Sequence, residues 1–255
     1  SSTARSECAP SRSAAAGRER VTATLPGAVR AGRGRLRFSR VRAYYGEVVS
    51  RLRLFAVRHG ETAWSRERRF AGARDVPLAP EGLRQCEAVA QALGGKPVAA
   101  VYASPLERAC ASAEVIAKPH RLAVGIEPDF REMAFGEWEG LTRDEVAARF
   151  PEAYERWRTA PHRLVLPGGE PLTDVALRVK QAVEALLGTH TGETVVLVSH
   201  AIVLRLIVLQ ALGLGPDRLW TVDASPAGIT EIEYEPGWAT IHRMNTLSHL
   251  EPVAS

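Results

Sequence analysis

From Leu52 onward, short apolar runs of strand length alternate with stretches of helical period. Leu52–Val57 is apolar, short and uninterrupted, and predicts a strand. Pro80–Leu93 places Leu83, Val89, Ala90 and Leu93 on one side, and Gly94-Gly95 stops it, which predicts a helix. Val98–Ala103 predicts a second strand. Ser104-Pro105-Leu106-Glu107 follows, with a capping serine, an early proline and a glutamate three residues after the cap, so a helix is expected to open there. Ala123–Ile126 predicts a third strand.

Thr142-x-x-Glu145 is a second capping box, and opens a helix to about Phe150. Pro151–Arg158 continues helically, and Ala160–Glu170 is a connection bearing Pro and Gly. Leu172, Val175, Ala176, Val179, Val183 and Leu186 form one stripe of a long helix, Leu172–Leu187. Thr194–Ser199 is the most apolar strand and Ala201–Leu212 the helix after it. Gly228–Tyr234 and Trp238–Met244, joined through Pro236-Gly237, predict a closing hairpin. Strands that are apolar on both faces and alternate with helices predict a three-layer α/β/α sandwich with a mostly parallel central sheet.

Residues 1–50 break this pattern. They are rich in Arg, Ser, Ala and Gly, and have no sustained apolar period with which to offset their ordering entropy. They are expected to be a disordered extension, or upstream sequence outside the natural product. An organelle transit peptide and a basic tether to nucleic acid or an anionic membrane are the two other readings. The segment also explains the net charge of +4: residues 1–53 hold twelve arginines, no lysine and three acids, so the remainder is mildly acidic. A nucleic-acid-binding fold would spread its positive charge, so nucleic acid is not the expected partner of residues 51–250. Val195–Leu212, the most apolar region, contains Ser199, His200, Arg205 and Gln210, whereas a membrane span needs about 20 residues that are nearly all apolar. Cys8, Cys86 and Cys110 are too few and too scattered for a disulfide framework, which predicts a reducing, cytoplasmic compartment.

In open α/β sheets, ligands sit beyond the carboxyl ends of the strands. Here the first strand runs into Arg58-His59-Gly60, the second into a helix with Arg108 in its first turn, and the fourth into His200. Two arginine forks and two helix N-termini are apparatus for a phosphate dianion. A neutral imidazole can attack phosphorus, and neighbouring cations keep it neutral. Arg108 opposes the helix dipole, and such local violations collect at functional sites. The other histidines (His120, His162, His190, His242, His249) lack ligand spacing and are expected to be exposed or satisfied. No metal and no cofactor is expected. The nucleotide, dinucleotide and serine-hydrolase motifs are absent from the sequence.

These residues resemble the signature of the histidine phosphatase superfamily, the phosphoglycerate-mutase-like proteins. The resemblance runs from Phe55-Ala-Val-Arg-His-Gly-Glu-Thr-Ala-Trp64 through Gly72-x-x-Asp75-x-Pro-Leu78-x-x-Glu-Gly82 and Ser104-Pro-Leu-x-Arg108-Ala. It continues in Arg131-Glu132-x-x-Phe-Gly136-x-Trp-Glu-Gly140, Pro167-Gly-Gly-Glu170 and Val196-x-Val-Ser-His200, covering roughly residues 52–245. It implies a phosphoglycerate-mutase-like fold over 51–250 and a phosphoric monoester hydrolase acting on a small phosphorylated metabolite. His59 would be the nucleophile, with Arg58, Arg108 and His200 holding the phosphoryl oxygens. Glu132 would be the general acid, although the residues themselves do not choose it over Glu137 or Glu139. The backbone N–H of Ala201 would face the phosphate. Ser65 stands where the family usually has Asn, and Ala201 where Gly is common, so lower or shifted activity is expected.

Residues 133–166 are expected to form a lid. Trp138, Phe150, Tyr154, Trp157, Arg158, His162 and Arg163 are its candidates to touch the leaving group, against a reading as ordinary packing for Phe150 and Trp157. The short stretch from Gly140 to Pro167 favours a phosphatase, resembling α-ribazole phosphatases and broad-specificity phosphatases, over a cofactor-dependent mutase. A weakly active relative that binds phospho-ligands is the remaining alternative.

Overall fold

The computed structural model describes residues 51–251, so the expected extension over 1–50 lies outside it. Its elements are β1 Leu52–Arg58, α1 Ala63–Arg66, α2 Pro80–Leu93, β2 Val98–Ala103, α3 Glu107–Ala117, β3 Val124–Ile126 and α4 Arg143–Arg149. Then come α5 Pro151–Thr159, α6 Leu172–Thr189, β4 Thr194–Ser199, α7 Ala201–Ala211, β5 Ile229–Glu235 and β6 Trp238–Thr246. The strands form one six-stranded sheet in the order β3-β2-β4-β1-β5-β6. β3, β2, β4 and β1 are mutually parallel, and the β5–β6 hairpin adds antiparallel to β1.

The pleat of β1 divides its side chains between two cores. Leu52, Leu54 and Ala56 join Val195 and Leu197 under α6 and α7. Phe55 and Val57 join Val196 and Val198 under α2 and α3. A strand apolar on both faces therefore has a helical layer on each side, as expected for this sheet. Each fully buried aliphatic side chain contributes about 1.5–3 kcal/mol.

Three details differ from the sequence expectations. Leu83 is exposed on α2, and Gly82 and Cys86 are buried instead, because the chain at Gly60–Glu61 crosses over Gly82 too closely for a side chain there. α3 starts at Glu107, with Leu106 as its cap, and the Ser104 hydroxyl accepts the Leu106 N–H at 3.3 Å while also meeting His200 Nε2 at 2.7 Å. The four-residue α1 was not anticipated; it is held by a capping box between Thr62 and Ser65.

Candidate active site

The carboxyl ends of β1, β4 and β2 lie side by side, with Arg58 opposite Ser199 and Ala103 opposite Val198. The backbone N–H of His59 donates to Ser199 O at 2.9 Å, and that of Gly60 donates to Ser112 Oγ at 3.1 Å. The loop thus turns into the sheet edge with His59 buried. Nδ1 of His59 lies 2.7 Å from Gly60 O. A carbonyl only accepts, so Nδ1 carries the proton and Nε2 keeps its lone pair. Burial, and then the charges of Arg108 and Arg58, hold this imidazole well below its usual pKa, so it is neutral.

His200 caps α7 from a fully buried position, its ring centroid 5.2 Å from that of His59. Its Nε2 lies 2.7 Å from Ser104 Oγ, which already accepts the Leu106 N–H at 3.3 Å. Donation of the serine proton to Nε2 puts the imidazole proton on Nδ1, a buried atom without a partner among the described residues. Burial and Arg108 depress the His200 pKa as well.

The two arginines are held from behind by main-chain oxygens. Arg58 Nη1 donates to Ala224 O at 2.7 Å. Arg108 donates from Nη1 to Arg74 O at 2.7 Å and from Nη2 to Gly72 O at 2.9 Å. Both Nε–H groups are buried without a partner. Burial lowers the Arg58 pKa to about 10 and lowers that of Arg108 too. Buried cationic donors left unpaired are costly, and an anion among them removes that cost.

The structure separates the three candidate acids. Glu137 is exposed, and Glu139 holds the N–H groups of Ala73 and Phe135 at 2.9 and 3.1 Å. Glu132 is buried at the site, accepting from Met133 N at 3.0 Å and Ile202 N at 3.4 Å. Burial raises its pKa despite those bonds and both arginines. Behind it, Arg178 donates to the carbonyls of Asp129, Arg131 and Glu132 at 2.6, 2.8 and 3.4 Å, and pairs with Glu170 at 2.8 Å.

Arg58, His59, Arg108 and Glu132 line a cavity of about 520 Å³, with Ser65 and Ala201 on its wall; His200 is fully buried beside His59 and does not line it. Ala201 is the first residue of α7, so its N–H has no intrahelical acceptor. The Ser65 hydroxyl is occupied: it accepts from Thr62 N and donates to Thr62 O, both at 2.9 Å. Of the expected lid contacts, Tyr154, Trp157 and Arg158 line the cavity; Trp138, Phe150, His162 and Arg163 do not. Trp138 is buried among Phe70, Phe150, Tyr154 and Trp157.

Sequence reasoning missed Arg143, Arg205, Trp220 and Asp223, which also line the cavity. A signal for one of them existed: Arg143 opens α4, where a cation opposes the dipole as Arg108 does. His120 and His162 depart from expectation, each burying one ring nitrogen without a partner. Among the described residues, no three His, Cys, Asp or Glu side chains gather as a metal site, and no helix is long and apolar enough to cross a membrane.

Known proteins resemble this chain in sequence and fold. Phosphoserine phosphatase 1 of Hydrogenobacter thermophilus is 33% identical over 199 residues, which are 78% of this chain and 94% of that protein. The solved structure of Bacillus stearothermophilus YhfR superposes with a TM-score of 0.75 at 32% identity, covering 78% of this chain and 100% of the other. A phosphoserine phosphatase from Entamoeba histolytica, solved with 3-phosphoglyceric acid, gives 0.71 at 27% identity, covering 78% and 100%. A sequence profile of the histidine phosphatase superfamily (branch 1) matches residues 54–247, spanning every strand end that feeds the cavity, and the chain belongs to that superfamily.

Proposed function

We propose that the protein hydrolyses a small phosphorylated metabolite through a phosphohistidine on His59. The observation that carries this is the lone pair on His59 Nε2 beside two buried arginines with free N–H groups. Phosphomonoester hydrolysis agrees with membership of the superfamily and with the phosphoserine phosphatases among the relatives. The cavity volume lies in the small-molecule range, and the sparse cysteines favour a cytoplasmic setting.

In the first step, Nε2 attacks phosphorus and a P–N bond forms as the P–O ester bond breaks. The electron pair leaves on the ester oxygen, which takes the proton held by Glu132. In the second step, the Glu132 carboxylate removes a proton from water, the oxygen attacks phosphorus, and the P–N electrons return to Nε2. The net reaction is phosphate monoester plus water to alcohol plus inorganic phosphate. Arg58, Arg108, His200 Nδ1–H and the Ala201 N–H stabilise the charge on the phosphoryl oxygens. Burial serves both ends: it favours the neutral form of His59 and the neutral, proton-carrying form of Glu132.

The test is hydrolysis of p-nitrophenyl phosphate in excess chelator by the parent and by His59→Ala. The parent turns over and incorporates phosphate on histidine; the variant does neither. Turnover that survives in His59→Ala overturns the covalent step, and turnover that chelator abolishes overturns the metal-free site.

A further inference from the structure

Seven arginines line the cavity (Arg58, Arg68, Arg69, Arg108, Arg143, Arg158 and Arg205) against only two acids, Glu132 and Asp223. One phosphoryl group uses Arg58 and Arg108. Arg69 is committed to Glu67 and to Gly140 O. The site is therefore more cationic than a lone phosphate requires, and its surplus lies toward the leaving group.

Arg205 is the most constructed of these cations. Its side chain is 14% exposed, and its guanidinium carbon sits 4.8 Å from the centroid of the Trp220 ring. Trp220 is itself fixed by a hydrogen bond from its Nε1 to Trp157 O at 2.9 Å. Among the described residues, Arg205 is hydrogen-bonded only through Nη2, to Asp223 Oδ1 at 3.1 Å, while Nε is buried without a partner. The Asp223 side chain is 69% exposed at the cavity mouth and also accepts from Ser225 Oγ and Asn245 Nδ2. It can release Arg205 and remain hydrogen-bonded. Arg143 lines the same cavity and forms no ion pair among the described residues. Ile202, one turn before Arg205 on α7, donates its N–H to Glu132 at 3.4 Å, and Ile202, Arg205 and Glu132 all line the cavity, so this cation shares a helix face with the residue that touches the group protonating the leaving oxygen.

We propose that Arg205, backed by Trp220 and joined by Arg143, is the specificity residue that binds a carboxylate carried by the leaving group, in place of the single bond from Asp223. A carboxylate already occupies the fork in the form of Asp223, and a planar two-oxygen anion matches a guanidinium edge. The assignment rests on the phosphatase reading above and adds the substrate class: small phosphorylated carboxylic acids.

The experiment compares kcat/KM for O-phospho-L-serine and O-phosphoethanolamine, which differ only in the carboxylate. The parent is expected to prefer phosphoserine by about tenfold or more, because phosphoethanolamine leaves Arg205 with only its one bond to Asp223 where a substrate carboxylate would take two. R205M brings the ratio to near one, and R205K falls between. Because the readout is a ratio, any effect of the variant on the shared chemistry cancels. A parent without preference, or a ratio unchanged in R205M, overturns the proposal. Should R205M fail to fold, an unchanged ratio in R205K overturns it equally. A larger R205M loss on ethane-1,2-diol bisphosphate than on phosphoserine overturns the carboxylate in favour of a second phosphate. Phosphohistidine formation from p-nitrophenyl phosphate separates the two readings. If the parent forms none, the phosphatase mechanism fails; if it forms but the preference is absent, only the Arg205 assignment fails.

Discussion

At the scale of the residue, the site sets two titrations in opposite directions with one cause. Desolvation pushes His59 down, because its charged form is the cation, and pushes Glu132 up, because its charged form is the anion. For an alkyl phosphate, turnover falls on the acid side only when His59 takes up a proton, well below pH 6.5. It falls on the alkaline side when Glu132 loses its proton, above the ordinary carboxylate range. Glu132→Gln is expected to slow alkyl phosphates by about 10²–10⁴-fold and to remove the alkaline limb. The loss on p-nitrophenyl phosphate is smaller, because a nitrophenolate needs little protonation. Paired pH–rate profiles on the two substrates check this, and equal losses count against Glu132 as the acid. His59, Arg58, Arg108 and His200 were legible in the sequence because each follows or opens an element at a strand end. Arg205 and Asp223 were not, because nothing local marks which face of α7 meets the loop at Asp223.

At the scale of the element, the acid depends on a clamp two turns into α6. Arg178 interrupts the apolar side of that helix and is buried there, its donors spent on Glu170 and on the carbonyls of Asp129, Arg131 and Glu132. Breaking such a pair by removing one member costs about 3–5 kcal/mol. Arg178→Met is expected to lose about that much in urea unfolding and to slow alkyl phosphates more than p-nitrophenyl phosphate. Adding Glu170→Leu recovers part of the stability, because a carboxylate then held only by Arg131 is gone, but not the leaving-group selectivity. Helix α6 itself was plain from its stripe, whereas Arg178 reads in sequence as one more polar position. Its role exists only after the chain at 129–132 packs over it. Ser104 is the converse case. Its sequence context announces a cap, and its hydroxyl does accept the Leu106 N–H, but nothing local announces the second contact, with His200.

At the scale of the molecule, the cavity stores uncompensated charge that a ligand releases. Inorganic phosphate is expected to raise the melting temperature by about 5–10 °C at 100 times its dissociation constant, from about 2.7 kcal/mol of linkage. Scanning calorimetry in phosphate and in chloride of equal ionic strength checks it; equal melting temperatures remove the anion site. The layered architecture was readable from strands apolar on both faces, but the strand order was not, because spacing along the chain does not say which strands become neighbours. That order carries a further consequence. β1, which delivers Arg58 and His59, pairs with β4 and β5 and with no strand between them in sequence. Until the chain has been made through β4 the first strand has no partner on either edge, and its second edge waits for β5; long-range closures of this kind come late and slowly. His200 arrives on β4, threaded between β2 and β1. A nascent or truncated chain can thus be helical and collapsed without holding a phosphoryl group, which makes the onset of catalysis a timer for completed folding.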